Sequence, residues 1–433
     1  MADPLIQRFL DYLDASPTPD HAVHQTATIL EEHGFTKTSL GDRPSTLPVG
    51  HKGYVAKGGS LFAFRVGTEP AVDAGFRIIA AHTDSPNLRL KPHAWHEKAG
   101  YVRLGVEVYG GVQVATWADR DLGIAGAVQI RDASAPTGLR SQLLTVRRPV
   151  ARVPTLAIHL NREVNTKGLK FNAETELPAV IGLKGERGDD PFKAWLSSEL
   201  DVDPDGILGF DLSLFDLTKP ALGGLDEEFV FSARLDNLGS SHAALEALLA
   251  SLDSPTPAHT SVIALFDHEE VGSVSARGAN SRSIEQLLGL VLRDAEVQGP
   301  GDLSRALAHS RLISADMAHA VHPGFTDRHD AHHAPALNAG PVIKQNVSHR
   351  YTTEGVSTAE LALICERADV TPQVFVNRAD LRCGSTVGPM LAARLGVTAI
   401  DVGNPMLSMH SAREQAGTHD HAPMVRLMQH FFV

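Results

Sequence analysis

The sequence predicts an α/β protein: a mixed-sheet domain interrupted by a β-rich insertion. Short apolar runs that read as buried strands alternate with longer helical patterns, above all in the second half of the chain. The stretch 93–230 has a different texture. Its short alternating runs, such as YVRLGVEVYG and GVQVATW, are broken by glycine and carry few long helical patterns. Acidic and histidine-bearing segments recur just past the ends of the apolar runs, where open α/β sheets place their sites.

At the N-terminus, Leu5, Ile6, Phe9, Leu10 and Leu13 share one helical face. Residues 77–82 (RIIAAH) form a short apolar run, expected to be a buried strand ending at His82. After the insertion the spacing predicts a helix over 237–252 and a strand over 261–266 (SVIALF). A helix over about 281–297 and a strand over about 311–316 follow. Then come a helix over 353–368, a strand over 373–377, a helix near 386–396, a strand over 397–401 and a last helix over about 421–432. Residues 1–92 plus 231–433 therefore make the α/β domain, and 93–230 the inserted β-rich domain.

Composition removes several classes of function. The two cysteines, Cys365 and Cys383, cannot build a disulfide scaffold or a Cys-ligated zinc module. Lys plus Arg number 39 against 51 Asp plus Glu, and the net charge of −12 argues against a nucleic-acid-coating protein. No apolar run approaches the roughly 18–20 residues of a membrane helix. The N-terminal MADPLIQRFLDYLDASP has no basic region followed by a long apolar core, so it does not read as a signal peptide. The expectation is a cytoplasmic protein with no membrane or nucleic-acid partner. Its 22 histidines, in so cysteine-poor a chain, are the feature that needs a chemical reason.

Five segments carry metal-type ligands: His82-Thr83-Asp84, Asp236-Asn237, Asp267-His268-Glu269-Glu270, Asp316-Met317-Ala318-His319 and Met409-His410-Ser411. Imidazole and carboxylate suit zinc, and also manganese or cobalt. Two divalent ions about 3.5–4 Å apart need a bridging carboxylate and further anionic ligands to offset charge. One bridging Asp, one Asp, one Glu and two His meet that need. In His82-Thr83-Asp84 the carboxylate can accept a hydrogen bond from the free imidazole nitrogen and orient the ring. Neighbouring glutamates in an extended segment point opposite ways, which would give Glu269 and Glu270 separate tasks, one ligating and one holding water. The chain has no HExxH helix, no GxSxG elbow and no Walker-type phosphate loop.

Longer motifs run through nearly the whole chain in order: AAHTDSPNLRLKP, WADRDLGIAGAV, PTLAIHLNREVN, FNAETELP, SARLDNLGS, LFDHEEVGS, SADMAHAVHPGF, GPVIKQNVSHRYTTEG, RCGSTVGP and MLSMHSAREQAG. On these the chain resembles the aspartyl aminopeptidase family of dinuclear metallopeptidases. The resemblance implies a metal-dependent aminopeptidase that releases an N-terminal residue, preferring Asp or Glu. It implies His82, Asp236, Glu270, Asp316 and His410 as ligands of two divalent ions per subunit, zinc first, with manganese and cobalt also compatible. Asp236 would bridge the ions. His82 and Asp316 would complete one, and Glu270 and His410 the other. Glu269 would be the general base and Asp84 would stand behind His82.

Lys344 and Tyr351 would read the acidic side chain. His159, in the inserted domain, would reach a neighbouring subunit's site and help bind the reacting carbonyl. The family fold implies that the inserted domain dimerises, and that dimers assemble into a dodecamer. His322, His329 and His333 read as site wall or interface, and Arg382, Gly384, Ser385 and Thr386 as a backbone-rich loop near substrate. Two positions depart from the family pattern, Ala127 and Ala334, where a basic residue is usual. Two other readings stand beside this one. One is a related dinuclear hydrolase preferring neutral or basic N-termini. The other is a catalytically silent shell scaffold.

Overall fold

A computed structural model describes residues 3–41, 47–186, 188–292 and 301–433. The chain divides into two compact units. The first comprises Met1–Asp84, Pro220–Met409 and Glu414–Val433, and the second Ser85–Lys219 plus the short segment His410–Arg413.

The first unit is built on a nine-stranded mixed sheet. Its strands lie in the order Thr36–Lys37, Lys52–Lys57, Ser60–Arg65, Thr260–Phe266, Phe76–His82, Arg311–Ala315, Thr398–Gly403, Val342–Gln345 and Gln373–Val376. At its centre, Thr260–Phe266, Phe76–His82, Arg311–Ala315 and Thr398–Gly403 run parallel. Val342–Gln345 then joins antiparallel to Thr398–Gly403. The central strands read as continuous apolar runs because both faces are covered. Alternate side chains point to opposite faces. Ile79, Ala81, Ile263, Leu265 and Ile313 join one core with helices Leu235–Ala250 and His421–Phe432. Ile78, Ala80, Val262, Ala264 and Leu312 join another with helices Ser283–Val291 and Val387–Leu395. Each such fully buried Leu, Ile or Val contributes about 1.5–3 kcal/mol relative to exposure.

The N-terminal helix Pro4–Ala15 starts where Asp3 accepts the Leu5 N–H at 2.9 Å, and it buries Ile6, Phe9, Tyr12 and Leu13. The helix expected over 281–297 is Ser283–Val291 among the described residues, and the part from 293 onward lies outside them. Helix Pro19–Glu32 and the hairpin Lys52–Lys57/Ser60–Arg65 were not anticipated. The hairpin's strands are buried without alternation, Ser60–Arg65 at every position, so they carry no period-2 signal. A five-stranded sheet (Ala221–Gly223, Phe229–Ser232, Glu414–Gly417, Pro405–Leu407, Ala318–His319) completes this unit.

The second unit is a six-stranded antiparallel sheet in the order Leu139–Ala151, Leu122–Arg131, Ile207–Asp216, Asn87–Lys98, Tyr101–Tyr109 and Ala179–Leu183. Helix Pro191–Leu200 closes its core, in which Leu88, Leu104, Leu122, Val128, Val146, Leu196 and Leu212 are buried. Among the described residues no helix is long and apolar enough to cross a membrane.

Candidate metal centre

Three neighbouring parallel strands end at the cluster. His82 closes Phe76–His82, Asp267–Glu270 follow Thr260–Phe266, and Asp316 follows Arg311–Ala315. Parallel strands spaced about 4.8 Å apart deliver residues far apart in sequence to one edge. The close approach of Asp316 depends on a glycine: a Cβ at Gly403 would overlap the Asp316 carbonyl oxygen.

Asp236 arrives from the start of helix Leu235–Ala250, where Asp236 and Asn237 are non-helical and joined by a cis peptide bond. Two hydrogen bonds hold this turn. The Asp236 N–H donates to Glu414 Oε2 at 3.1 Å, and Asn237 Nδ2 donates to the Ala315 carbonyl at 2.8 Å.

One ligating atom each of His82, Asp236 and Glu270 lies within 4.8 Å of the others, the one such group of three or more among the described residues. Around it, His82 Nε2 is 3.6 Å from Asp236 Oδ1, 3.6 Å from Asp316 Oδ1 and 3.9 Å from Glu269 Oε2. The ring is correctly set for ligation. Its Nδ1 lies 3.0 Å from the Asp84 carbonyl oxygen, which can only accept, so Nδ1 donates there and Nε2 is the nitrogen that faces the carboxylates. One imidazole and two carboxylates are a hard, nitrogen–oxygen donor set of the kind that holds catalytic zinc. The residues therefore fit the ion that the sequence called for.

Asp84 does more than stand behind His82. Its carboxylate is fully buried, lies 3.4 Å from His82 Nδ1, and accepts the N–H groups of Glu269 and Glu270 at 3.1 Å each. This corrects one expectation. Glu269–Val271 is a single 3-10 turn, not an extended segment, because one carboxylate gathers both amide groups. Both side chains reach the cluster from that turn. Behind them, Asp267 Oδ1 accepts the His268 N–H at 2.8 Å, and His268 Nδ1 lies 2.7 Å from Ser275 Oγ.

Electrostatics follow from crowding carboxylates out of water. Burial pushes Glu269 up to about 8; His82 opposes this, while Asp316, Glu270 and Asp84 add to it. At His82 burial disfavours the charged ring, but Asp316 and Asp84 outweigh it and hold the imidazole well above its ordinary value. Burial likewise resists ionisation of Asp316, yet Lys344 and His82 prevail and hold it below the usual carboxylate range.

Lys344 is buried on the Val342–Gln345 strand. Its Nζ lies 3.6 Å from Asp316 Oδ2, donates to the Met317 carbonyl at 3.2 Å, and stands 5.1 Å over the Tyr351 ring. Tyr351 is buried, and Cys383 packs against the small apolar cluster it forms with Ala318, Val342 and Phe375. Residues 378–386, which include Arg382, Gly384, Ser385 and Thr386, form a loop ahead of helix Val387–Leu395. His329 Nε2 accepts the His322 N–H at 3.1 Å, and His333 Nδ1 lies 2.7 Å from Asp330 Oδ1.

Two expected residues belong to the second unit. His410 has φ 67°, and its Nδ1 lies 3.1 Å from the Gly111 carbonyl oxygen, to which it donates. His159 is exposed on a loop that also exposes Leu156, Ile158 and Leu160. The sequence reading assigned no role to Glu414. Nothing local distinguishes it, since its contact to Asp236 spans 178 residues.

The family model described as Aminopeptidase I zinc metalloprotease (M18) matches residues 12–432. A probable M18 family aminopeptidase 2 of Ectopseudomonas mendocina is 43% identical over 438 residues, spanning 100% of this chain and 99% of its own. A relative of the same description from Azotobacter vinelandii is 43% identical over 440 residues, again across 100% of this chain and 99% of its own. A chain in the cryo-EM structure of the Ape4 and Nbr1 complex superposes with a TM-score of 0.94 at 41% identity, covering 99% of this chain and 85% of that one. The structure of the S. cerevisiae mApe1 dodecamer superposes with a TM-score of 0.86 at 27% identity, covering 99% of this chain and 96% of that one. A match across almost the entire length, joined to a His–Asp–Glu cluster where parallel strands end, places the chain in the M18 family of aminopeptidase zinc metalloproteases.

Proposed function

We propose that this zinc aminopeptidase releases aspartate or glutamate from peptide N-termini, with Glu269 as general base. One observation carries the acidic preference: the Lys344 ammonium is fixed beside the cluster, against Asp316 and over the Tyr351 ring. An ammonium has three donors. One goes to the Met317 carbonyl, which leaves capacity to bind an incoming side-chain carboxylate by a charge-assisted hydrogen bond.

The reading includes two ions, with Asp236 bridging, His82 and Asp316 holding one, and Glu270 and His410 the other. The imidazoles of His82 and His410 support it, since each has Nδ1 against a backbone carbonyl, the orientation that suits ligation through Nε2. When bound, the ions supply Lewis acidity, acidifying water and polarising the scissile carbonyl. The chain's own residues do the rest. Glu269 takes the proton from the attacking water and delivers it to the leaving amine. Asp84 holds the Glu269 backbone and the His82 ring in fixed relation, so the base cannot drift from the ligands.

His159 acts on a neighbouring subunit's site in this reading. The exposed Leu156, Ile158 and Leu160 on its loop support burial against another copy. The dodecameric S. cerevisiae relative supports assembly of this chain into a similar shell from dimers. The enzyme acts in the cytoplasm on peptides, without membrane or nucleic-acid partners.

A second reading has its own observation. The Lys344 ammonium is already engaged by Asp316 and Met317, and if that engagement persists with metal bound, the enzyme prefers neutral or basic N-termini. Hydrolysis of Asp-, Glu-, Leu- and Lys-anilides decides between them. The acidic reading expects Asp and Glu to lead and Lys344→Ala to lose that lead more than its general activity. A clear win for Leu or Lys overturns it. Metal analysis should return about two divalent ions per chain.

A further inference from the structure

Asp401 lies inside the strand Thr398–Gly403 with no solvent exposure. A buried carboxylate is costly unless hydrogen bonds replace its water. Here they do. Oδ2 accepts the Thr352 N–H at 2.6 Å and the Thr352 hydroxyl at 2.9 Å, and Oδ1 accepts the Thr386 hydroxyl at 2.6 Å. The Asp401 N–H donates to Thr353 Oγ1 at 3.0 Å. Thr386 also starts helix Val387–Leu395, its Oγ1 accepting the Gly388 N–H at 3.3 Å. A glycine is needed at 388: a Cβ would stand 2.8 Å from Asp401 Oδ2 and 2.7 Å from Ser314 Oγ.

These partners have one thing in common. Thr352 and Thr353 follow Tyr351, and Thr386 ends the loop that carries Cys383, which packs against the Tyr351 cluster. Across the antiparallel pair, Asp401 sits directly opposite Lys344. None of the side chains bonded to Asp401 is a proposed metal ligand. We infer that Asp401 is a positioning residue for substrate selection, tying the Thr352–Thr353 segment and the loop that ends at Thr386 to each other beside the strand that carries Lys344. The role rests on the acidic preference proposed above, since Lys344 and Tyr351 adjoin what it holds. It acts on recognition through geometry and not on the metal chemistry.

Asp401→Asn replaces one carboxylate oxygen with an amide donor, so the Thr386 bond must reverse its direction and every side-chain bond of the node loses its charge assistance. Steady-state kinetics of the assembled zinc enzyme should show KM for Asp- and Glu-anilides rising about tenfold, with kcat within about threefold. Zinc per chain should stay unchanged. A second readout does not depend on activity. Cys383 is partly exposed and Cys365 is buried, so alkylation of Cys383, followed by peptide mass spectrometry, should quicken several-fold as the loop loosens. If Asp401→Asn does not fold, Thr386→Val should show the same pattern and Thr386→Ser should restore the wild-type values. Equal losses on acidic and neutral substrates, loss of zinc, or unchanged KM together with unchanged alkylation would each overturn the role. A wild-type enzyme indifferent to acidic N-termini overturns the specificity reading instead, and Cys383 alkylation then still reports whether Asp401 holds the Tyr351 loop.

Discussion

Two buried histidine environments in the first unit put the same ring to opposite uses. His82 stands among carboxylates: oxygens of Asp84, Asp236, Glu269 and Asp316 lie 3.4–3.9 Å from its ring nitrogens. His242 and His421 stand among aromatic rings. His242 Nδ1 is 2.9 Å from His421 Nε2, and His421 stacks on Phe9 with centroids 4.1 Å apart. One carboxylate, Glu246, comes within 3.5 Å of His242, and bidentate hydrogen bonds from Arg8 already occupy it. Burial therefore pushes His242 down to about 3, helped by Arg8. Burial and His242 hold His421 well below its ordinary value. At His82 the same burial is outweighed by its neighbours. The number of histidines in this chain consequently says little about its chemistry. What surrounds a buried ring decides whether it faces carboxylates or packs among aromatic rings.

The sharpest way to break that contrast is at Glu269, the proposed base beside His82. Glu269→Gln cannot take a proton, so kcat/KM should fall by about 10³-fold while zinc content is retained. Kinetics with parallel metal analysis would check both, and substantial residual activity would move the base elsewhere. Next, His82→Ala should lose zinc and activity together. His242→Ala should keep its zinc and instead lose about 2–4 kcal/mol of stability through the void it leaves, read by denaturant unfolding. Zinc loss from His242→Ala would collapse the distinction between the two environments.

A smaller effect is expected at Asp84. Without its carboxylate, Asp84→Ala should bind zinc about 10–100-fold more weakly, measurable by competition with a chelator. The smallest effect is pH-dependent. The folded-state pKa of His242 lies below its ordinary 6.5, so between about 3 and 6.5 the unfolded chain binds more protons. The stability from its neutral packing is complete above about 6.5 and is lost as pH falls, by at most about 1.4 kcal/mol per pH unit for one histidine. Arg8, Glu246, Tyr12 and His421 are the polar or titratable groups around it. In metal-free protein the slope should be shallower for His242→Asn than for wild type, and equal slopes would show that the pair does not titrate on unfolding.

Much of the fold was legible because its signals are local. RIIAAH and SVIALF are apolar on both faces, and they are strands buried from both sides at Phe76–His82 and Thr260–Phe266. The final helix, His421–Phe432, matches its expected limits. Strands that end side by side also explain why His82, Glu270 and Asp316 can meet although the chain separates them widely. The hairpin Lys52–Lys57/Ser60–Arg65 escaped notice because its strands are buried without alternation.

By itself, the sequence determined the α/β pattern, the strand ends and the kind of donor each presents, because periodicity and residue type act over a few positions. Only the tertiary structure decided how those donors are held. Asp84 takes the amides of Glu269 and Glu270 across 185 and 186 residues, and folds into a turn what the sequence suggested was extended. Lys344 finds Asp316, Glu414 finds Asp236, and Asp401 ties loops 48 to 49 residues before it to another 15 residues before it. Each of these contacts is a hydrogen bond or ion pair made by a buried group that must replace lost water. Which partner replaces it depends on what the packed sheet brings within 3 to 4 Å, and no local pattern in the chain encodes that.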